Sequence, residues 1–98
     1  MVRKSINQPG LRIFGELLRD MRTDMSLTQE MLARKLGVDQ AFVSEAERGR
    51  RRLDIVQIGD WCIECEADFG AAMEEYWARR NDPKYQVPRE PDGRKKPK

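Results

Sequence analysis

Residues 27–49, LTQEMLARKLGVDQAFVSEAERG, decide the fold because they contain clear start and stop signals for two short helices. Thr28 can accept a hydrogen bond from a free backbone N–H and so begin the first helix. Gly37 suits the left-handed conformation that ends a helix. Asp39 can cap a second helix almost at once, and Gly49 ends it. The stretch therefore predicts two helices of about two turns each, joined by a turn of three residues.

Three further helices are expected on either side of this pair. One extends from about Leu11 to Asp24, where apolar residues form one stripe. Asp54 and Gln57 have the spacing of a capping box, and Asp68 can cap a last helix. The apolar positions that recur at helical spacing on one face of each helix are Ile13, Phe14, Leu17, Leu18 and Met21, then Ile55, Ile58, Cys62 and Cys65, then Phe69, Ala72, Met73, Tyr76 and Trp77. These patterns predict an all-α domain of five helices with a helix-turn-helix at helices two and three.

The length of 98 residues suits a single domain, because a second core would have too little chain to bury. Residues 11–80 are periodic and form the expected helical domain. Residues 1–10 read as a basic N-terminal arm. Residues 81–98 read as a basic tail whose prolines and low apolar content favour an extended or disordered chain.

The net charge of +2 conceals opposed blocks. Residues 27–53 carry +2, residues 54–78 carry seven acids and no Lys or Arg, and residues 79–98 carry +5. Such segregation is typical of proteins with a polyanionic partner. It also leaves one acidic surface on which a protein partner could dock.

Several classes of function are excluded or disfavoured. The chain has no His, so it lacks a His-based catalytic triad and imidazole metal ligands. No apolar run approaches the roughly 20 residues that span a bilayer, and no signal peptide is visible. Cys62 and Cys65 form a C-x-x-C pattern, but they lie inside a helix on its apolar side, which favours core packing over a redox or intersubunit role. We expect a cytoplasmic protein that is not an enzyme and has no cofactor or metal.

The pattern along residues 27–49 is specific enough to compare with known families. The positions that match one family are Leu27, Thr28, Gln29, Leu32, Ala33, Leu36, Gly37, Val38, Val43, Ser44, Glu47 and Gly49. Through them the chain resembles the Cro/C1-type helix-turn-helix family of phage and bacterial repressors, and the similarity extends from about Leu11 to Trp77. The resemblance implies a lambda repressor-like domain whose helix two crosses the DNA backbone and whose helix three enters the major groove.

The resemblance also implies roles for individual residues. Gln29 would touch phosphate and brace the recognition helix, and Arg22 and Glu47 would form a buried salt bridge between helices one and three. The residues expected to contact base edges are Gln40, Ala41 and Glu45. The residues expected to contact the DNA backbone are Gln29, Thr28, Ser44, Arg48, Arg50 and Arg51.

Two positions depart from the family pattern. Glu45 stands where Lys, Arg or Gln is usual; it could accept a hydrogen bond from cytosine, repel phosphate, or serve only as a surface charge. Ala46 stands where a large apolar residue usually fills the core. We expect Phe42 or a residue of helix four to take up that volume.

Together these features predict a repressor-like transcriptional regulator. It would bind a pseudo-palindromic operator in double-stranded DNA as a homodimer, with half-sites about 34 Å apart. The residues expected at the dimer interface are Phe69, Met73, Tyr76 and Trp77. The alternative is an antitoxin or protein-interaction module whose acidic helices four and five dock a partner protein.

Overall fold

The computed structural model describes residues 8–88, and the helices in this part of the chain pack around one core. Their bounds are α1 Gln8–Asp24, α2 Gln29–Leu36, α3 Gln40–Glu47, α4 Ile55–Glu64 and α5 Phe69–Arg80, followed by a 3-10 helix over Pro83–Gln86. The five-helix, all-α architecture predicted from the sequence is confirmed over this range. No helix in it is long and apolar enough to cross a membrane.

Polar side chains begin the helices at the expected positions. The side chains of Thr28, Asp39 and Asp68 each accept a hydrogen bond from the backbone N–H three residues later. Asp54 and Gln57 form a reciprocal capping box at the start of α4. Gly37 adopts φ 75° and ψ 30°, so a left-handed residue ends α2 and sets the sharp turn into α3.

The core centres on Trp61, which is fully buried and donates its indole N–H to the carbonyl of Leu18, 3.2 Å away. This bond satisfies the one polar atom of the largest core side chain. The residues buried around it are Leu17, Leu18, Met21, Leu32, Ala33, Val43, Ala46, Cys62, Cys65 and Ala72. Ile55 was expected on this face of α4, but it is 67% exposed because it lies on the outer side of the first turn.

Helix α1 approaches α3 unusually closely at Gly15. A Cβ atom built on Gly15 would lie 2.5 Å from the carbonyl oxygen of Glu47 and 2.7 Å from that of Ala46. The backbone of α1 therefore packs directly over the end of α3. Ala46 itself lies in the same buried cluster as Trp61 of α4, and Phe42 packs against that cluster.

The ends of the domain differ from the boundaries expected at residues 10 and 80. Helix α1 begins at Gln8 because Pro is tolerated in the first helical turn. The Tyr76 hydroxyl donates to the carbonyl of Gly10 at 3.3 Å, which connects the start of α1 to α5. Beyond α5, Arg12 donates to the carbonyls of Tyr85 and Gln86 and holds the 3-10 helix on α1. The rest of the expected arm, 1–7, and tail, 89–98, lies outside the described residues.

Replacing Gly15 with Ala should destabilise the domain by about 1–3 kcal/mol, because the added methyl group would meet two backbone carbonyls. Gly59 provides a matched control, since a Cβ there meets nothing within 4 Å and Ala favours the helix. Gly59→Ala should be neutral or stabilising by up to about 1 kcal/mol. Urea unfolding of both variants measures the difference; equal stabilities would contradict the close approach of α1 and α3.

Candidate nucleic-acid interface

A relay of polar side chains leads from the interior of the domain to the start of α3. Glu47 accepts two hydrogen bonds from Arg22, to Oε2 from Nε at 2.6 Å and to Oε1 from Nη2 at 2.9 Å. The two side chains are only 2% and 10% exposed. Arg22 also donates from Nη1 to the carbonyl of Leu27 at 2.8 Å, which ties the pair to the loop before α2. The ion pair thus fixes α3 relative to α1 and α2.

Gln29 connects the buried ion pair to the surface of α3. Its Nε2 donates to Oε1 of Glu47 at 3.0 Å, and its Oε1 accepts from Nε2 of Gln40 at 3.1 Å. Gln40 is exposed at the first turn of α3. Its amide is therefore connected to the buried ion pair through one residue, Gln29.

Glu45, at the other end of the exposed face of α3, also has a partner. Nε of Arg51 lies 3.3 Å from its Oε1, and both side chains are nearly half exposed. The guanidinium carbon of Arg51 lies 4.8 Å from the centroid of the Phe42 ring. Arg51 therefore folds back over α3 instead of extending into solvent.

The other residues expected to contact DNA differ in their exposure and hydrogen bonding. Ala41, Arg48 and Arg50 are exposed, and Ser44 is partly buried. The Thr28 hydroxyl accepts the N–H of Met31, which leaves its proton free for an outside acceptor. The DNA contacts of all these residues stay predictions.

Sequence reasoning missed two pairings on this surface. Gln29 and Gln40 stand on different helices, so no local spacing marks their hydrogen bond, although both residues were singled out separately. The contact of Arg51 with Glu45 depends on the path of the chain after α3. The aromatic ring of Phe42, three residues before Glu45, was the available signal for a guanidinium resting there.

The Cys62–Cys65 pattern belongs to the core. Both thiols are free and buried. Burial raises the pKa of Cys62, with a further contribution from Asp68, and burial together with the neighbouring Cys62 and Glu47 raises the pKa of Cys65 to about 11. Both groups are therefore protonated at neutral pH, which suppresses thiolate chemistry. No cluster of three or more metal-ligating side chains occurs within residues 8–88.

The four residues expected at a dimer interface divide into two pairs. Met73 and Tyr76 pack against the core, and the ring of Tyr76 meets Phe14 edge to face at 5.2 Å. Phe69 is 37% exposed and Trp77 is 63% exposed. Only the second pair offers substantial area to another molecule.

Arg79 joins α5 to α1 behind this surface. It contacts Glu75 at 2.8 Å and Asp20 at 3.0 Å. Burial acts against its charge, but the hydrogen bonds that Arg79 donates to these carboxylates outweigh that cost and raise the pKa of Arg79. The network fixes α5 rather than providing a site for chemistry.

The fold and this surface define a helix-turn-helix protein, and comparison with known proteins agrees. The chain belongs to the helix-turn-helix domain family, whose model matches residues 13–63. Its fold is that of DNA-binding transcriptional regulators of the Cro/C1 type, as the sequence resemblance indicated. A comparison with curated proteins found no match.

Several solved structures are similar over most of their length. An XRE-family like protein from Pseudomonas syringae is 33% identical, with a TM-score of 0.67, and the alignment covers 76% of this chain and 92% of that one. The restriction-modification controller protein C.AhdI from Aeromonas hydrophila is 34% identical, with a TM-score of 0.60 and coverage of 63% and 94%. The clp gene regulator ClgR from Corynebacterium glutamicum is 26% identical, with a TM-score of 0.66 and coverage of 70% and 90%.

Replacing Glu47 with Gln should destabilise the domain by about 3 kcal/mol or more, because the buried Arg22 guanidinium would lose its counter-charge. Glu45→Gln is the matched control on the same helix, and its exposed pair with Arg51 should be worth less than about 1 kcal/mol. Denaturant unfolding at neutral pH measures both. A loss for Glu47→Gln no larger than that for Glu45→Gln would contradict the structural role of the ion pair.

Proposed function

We propose that the protein is a repressor-like regulator that reads a specific DNA sequence with the exposed face of α3. The observation that carries the proposal is the fixed amide of Gln40, which the relay through Gln29 and Glu47 presents at the start of α3. An amide held in this way is suited to a bidentate contact with adenine. Ala41 and Glu45 complete the base-contacting face.

The surroundings of α3 supply the phosphate contacts in this proposal. Gln29 stands at the N-terminus of α2, where backbone N–H groups favour anions. The remaining proposed backbone contacts are Thr28, Ser44, Arg48, Arg50 and Arg51. Such contacts fix the position of the protein on DNA and make its affinity dependent on salt.

The proposed protein acts as a homodimer on a pseudo-palindromic operator, in the cytoplasm and on chromosomal DNA. Two copies of α3 would enter major grooves about 34 Å apart on one face of the duplex. The exposed rings of Phe69 and Trp77 on α5 support the proposed dimer contact, with Met73 and Tyr76 behind them. Similar structures include a clp gene regulator and a restriction-modification controller protein, which agrees with control of transcription.

A second candidate is an antitoxin or another module that docks a partner protein. Its support is the outer side of α4, where Ile55, Val56 and Ile63 are each at least 66% exposed within a segment that has no Lys or Arg. A mobility-shift assay with the DNA upstream of its own gene separates the candidates. Absence of binding at low salt would contradict the regulator and leave the docking module.

Gln40→Ala should relax sequence preference at one base position, because only the amide contact to a base is lost. Arg50→Ala, the matched control, should weaken binding to all sequences alike and lower the slope of log affinity against log salt by about one. Binding measured on a selected site and its single-base variants distinguishes the two. A uniform loss of affinity in both variants would contradict the assigned roles.

Trp77→Ala should raise the dimer dissociation constant by about tenfold or more, as truncation of a central aromatic contact commonly does. The monomer should stay folded because Trp77 is 63% exposed. Ile63→Ala on α4 is a control of similar exposure, 69%. Sedimentation measures both, and dissociation by Ile63→Ala alone would move the dimer interface to α4.

A further inference from the structure

Glu45 is an acidic residue on a helix face proposed to enter the major groove of DNA, and its contacts indicate a role in recognising a base. Arg51 donates from Nε to Oε1 of Glu45 at 3.3 Å and rests 4.8 Å from the Phe42 ring centroid. The backbone N–H of Arg50 donates to the carbonyl of Glu45 at 2.9 Å. The chain after α3 is thus folded back, and Arg51 is held between a carboxylate and an aromatic face.

The pair retains unused hydrogen-bonding capacity. Within residues 8–88, Oε2 of Glu45 and both Nη atoms of Arg51 have no hydrogen-bond partner. An acceptor and several donors therefore stand side by side on the outer face of α3. In the major groove, a C·G pair presents the complementary set, with the N4 donor of cytosine beside the O6 and N7 acceptors of guanine.

We propose that Glu45 and Arg51 act together as one reader of a C·G base pair. Oε2 of Glu45 accepts a hydrogen bond from cytosine N4, and Arg51 holds and neutralises the carboxylate while it does so. The inference rests on the proposed function, since it requires α3 in the major groove. It replaces the backbone contact proposed above for Arg51 with a role as a positioning residue for base recognition, and leaves the other proposed backbone contacts unchanged.

Electrostatics explain why the carboxylate needs its partner. A lone carboxylate entering the groove approaches two rows of phosphates, and repulsion opposes binding to every sequence. A neutral pair does not meet this repulsion. Because Arg51 is restrained by both the hydrogen bond and the ring of Phe42, it also limits the orientations open to Glu45, so that the contact depends on the base.

The side chain of Arg51 has partners within residues 8–88, and the side chains of the arginines next to it in sequence do not. Arg48, Arg50 and Arg52 are exposed, and within the described part of the chain none has an ion pair or a ring contact. They are free to contact phosphate, which carries no sequence information. The same segment therefore provides internal controls, which have the same guanidinium group as Arg51 but lack its contacts.

The test begins with DNA selected by the wild-type chain from a random pool. Binding to the selected site is then compared with binding to a site in which the C·G pair is changed to T·A, for the wild type, Glu45→Gln, Arg51→Ala and the double variant. The wild type should prefer cytosine by about tenfold. Each single variant should lose most of this preference, and the double variant should lose no more than either, because both substitutions disable one reader.

Arg50→Ala is the matched control. It should lower affinity for both sites equally and keep the preference for cytosine. Circular dichroism should show the same helix content in all variants, because the substituted side chains lie at the surface.

Two results would overturn the inference. One is an Arg51→Ala variant that keeps the cytosine preference, loses affinity for all sites alike and has a salt slope lower by about one, since this is the signature of a phosphate contact. The other is a selected site without a cytosine preference that depends on Glu45. A wild-type chain that selects no sequence would instead contradict the proposed function itself.

Discussion

The buried ion pair between Arg22 and Glu47 is the constraint on which the candidate site depends. It joins α1 to the last turn of α3, and two charges in a buried setting are tolerated only while their geometry is kept. Arg22 uses its remaining Nη1 donor on the carbonyl of Leu27. A shift of α3 against α1 would leave a charge unpaired in the interior, so α3 is ordered before it meets DNA and binding does not have to supply that order.

The two ends of α3 are supported in different ways. At the start, the amide of Gln40 is tied through Gln29 to a carboxylate that is almost fully buried. Farther along, Glu45 is held by Arg51 at the surface, where solvent screens the interaction. One end of α3 is therefore connected to a buried charge, and the other end is held by a surface pair that rests on the ring of Phe42.

Local chemistry explains which parts of this structure were predictable from the sequence. The caps at Thr28, Asp39 and Asp54 involve residues only three apart, so their signal is contained in the sequence itself. The close approach at Gly15 depends on two helices meeting, and a glycine within a helix does not say which neighbour it admits. Spacing alone also placed Ile55 on the apolar face of α4, because periodicity cannot tell which residues of a first turn reach the core.

The charges on and beside α3 can be interpreted only when the sequence and the structure are considered together. Helix α3 and its cap contain three acids, which is unexpected on a surface proposed to approach phosphates. Asp39 is engaged with the N–H of Phe42, Glu47 is buried against Arg22, and Glu45 is paired with Arg51. Glu45 and Glu47 are therefore each paired with a cation, and Asp39 caps α3. The cations that remain without an ion pair in the described residues beside α3 are Arg48, Arg50 and Arg52, so the surface proposed to face DNA is more positive than the sum of +2 over residues 27–53 suggests.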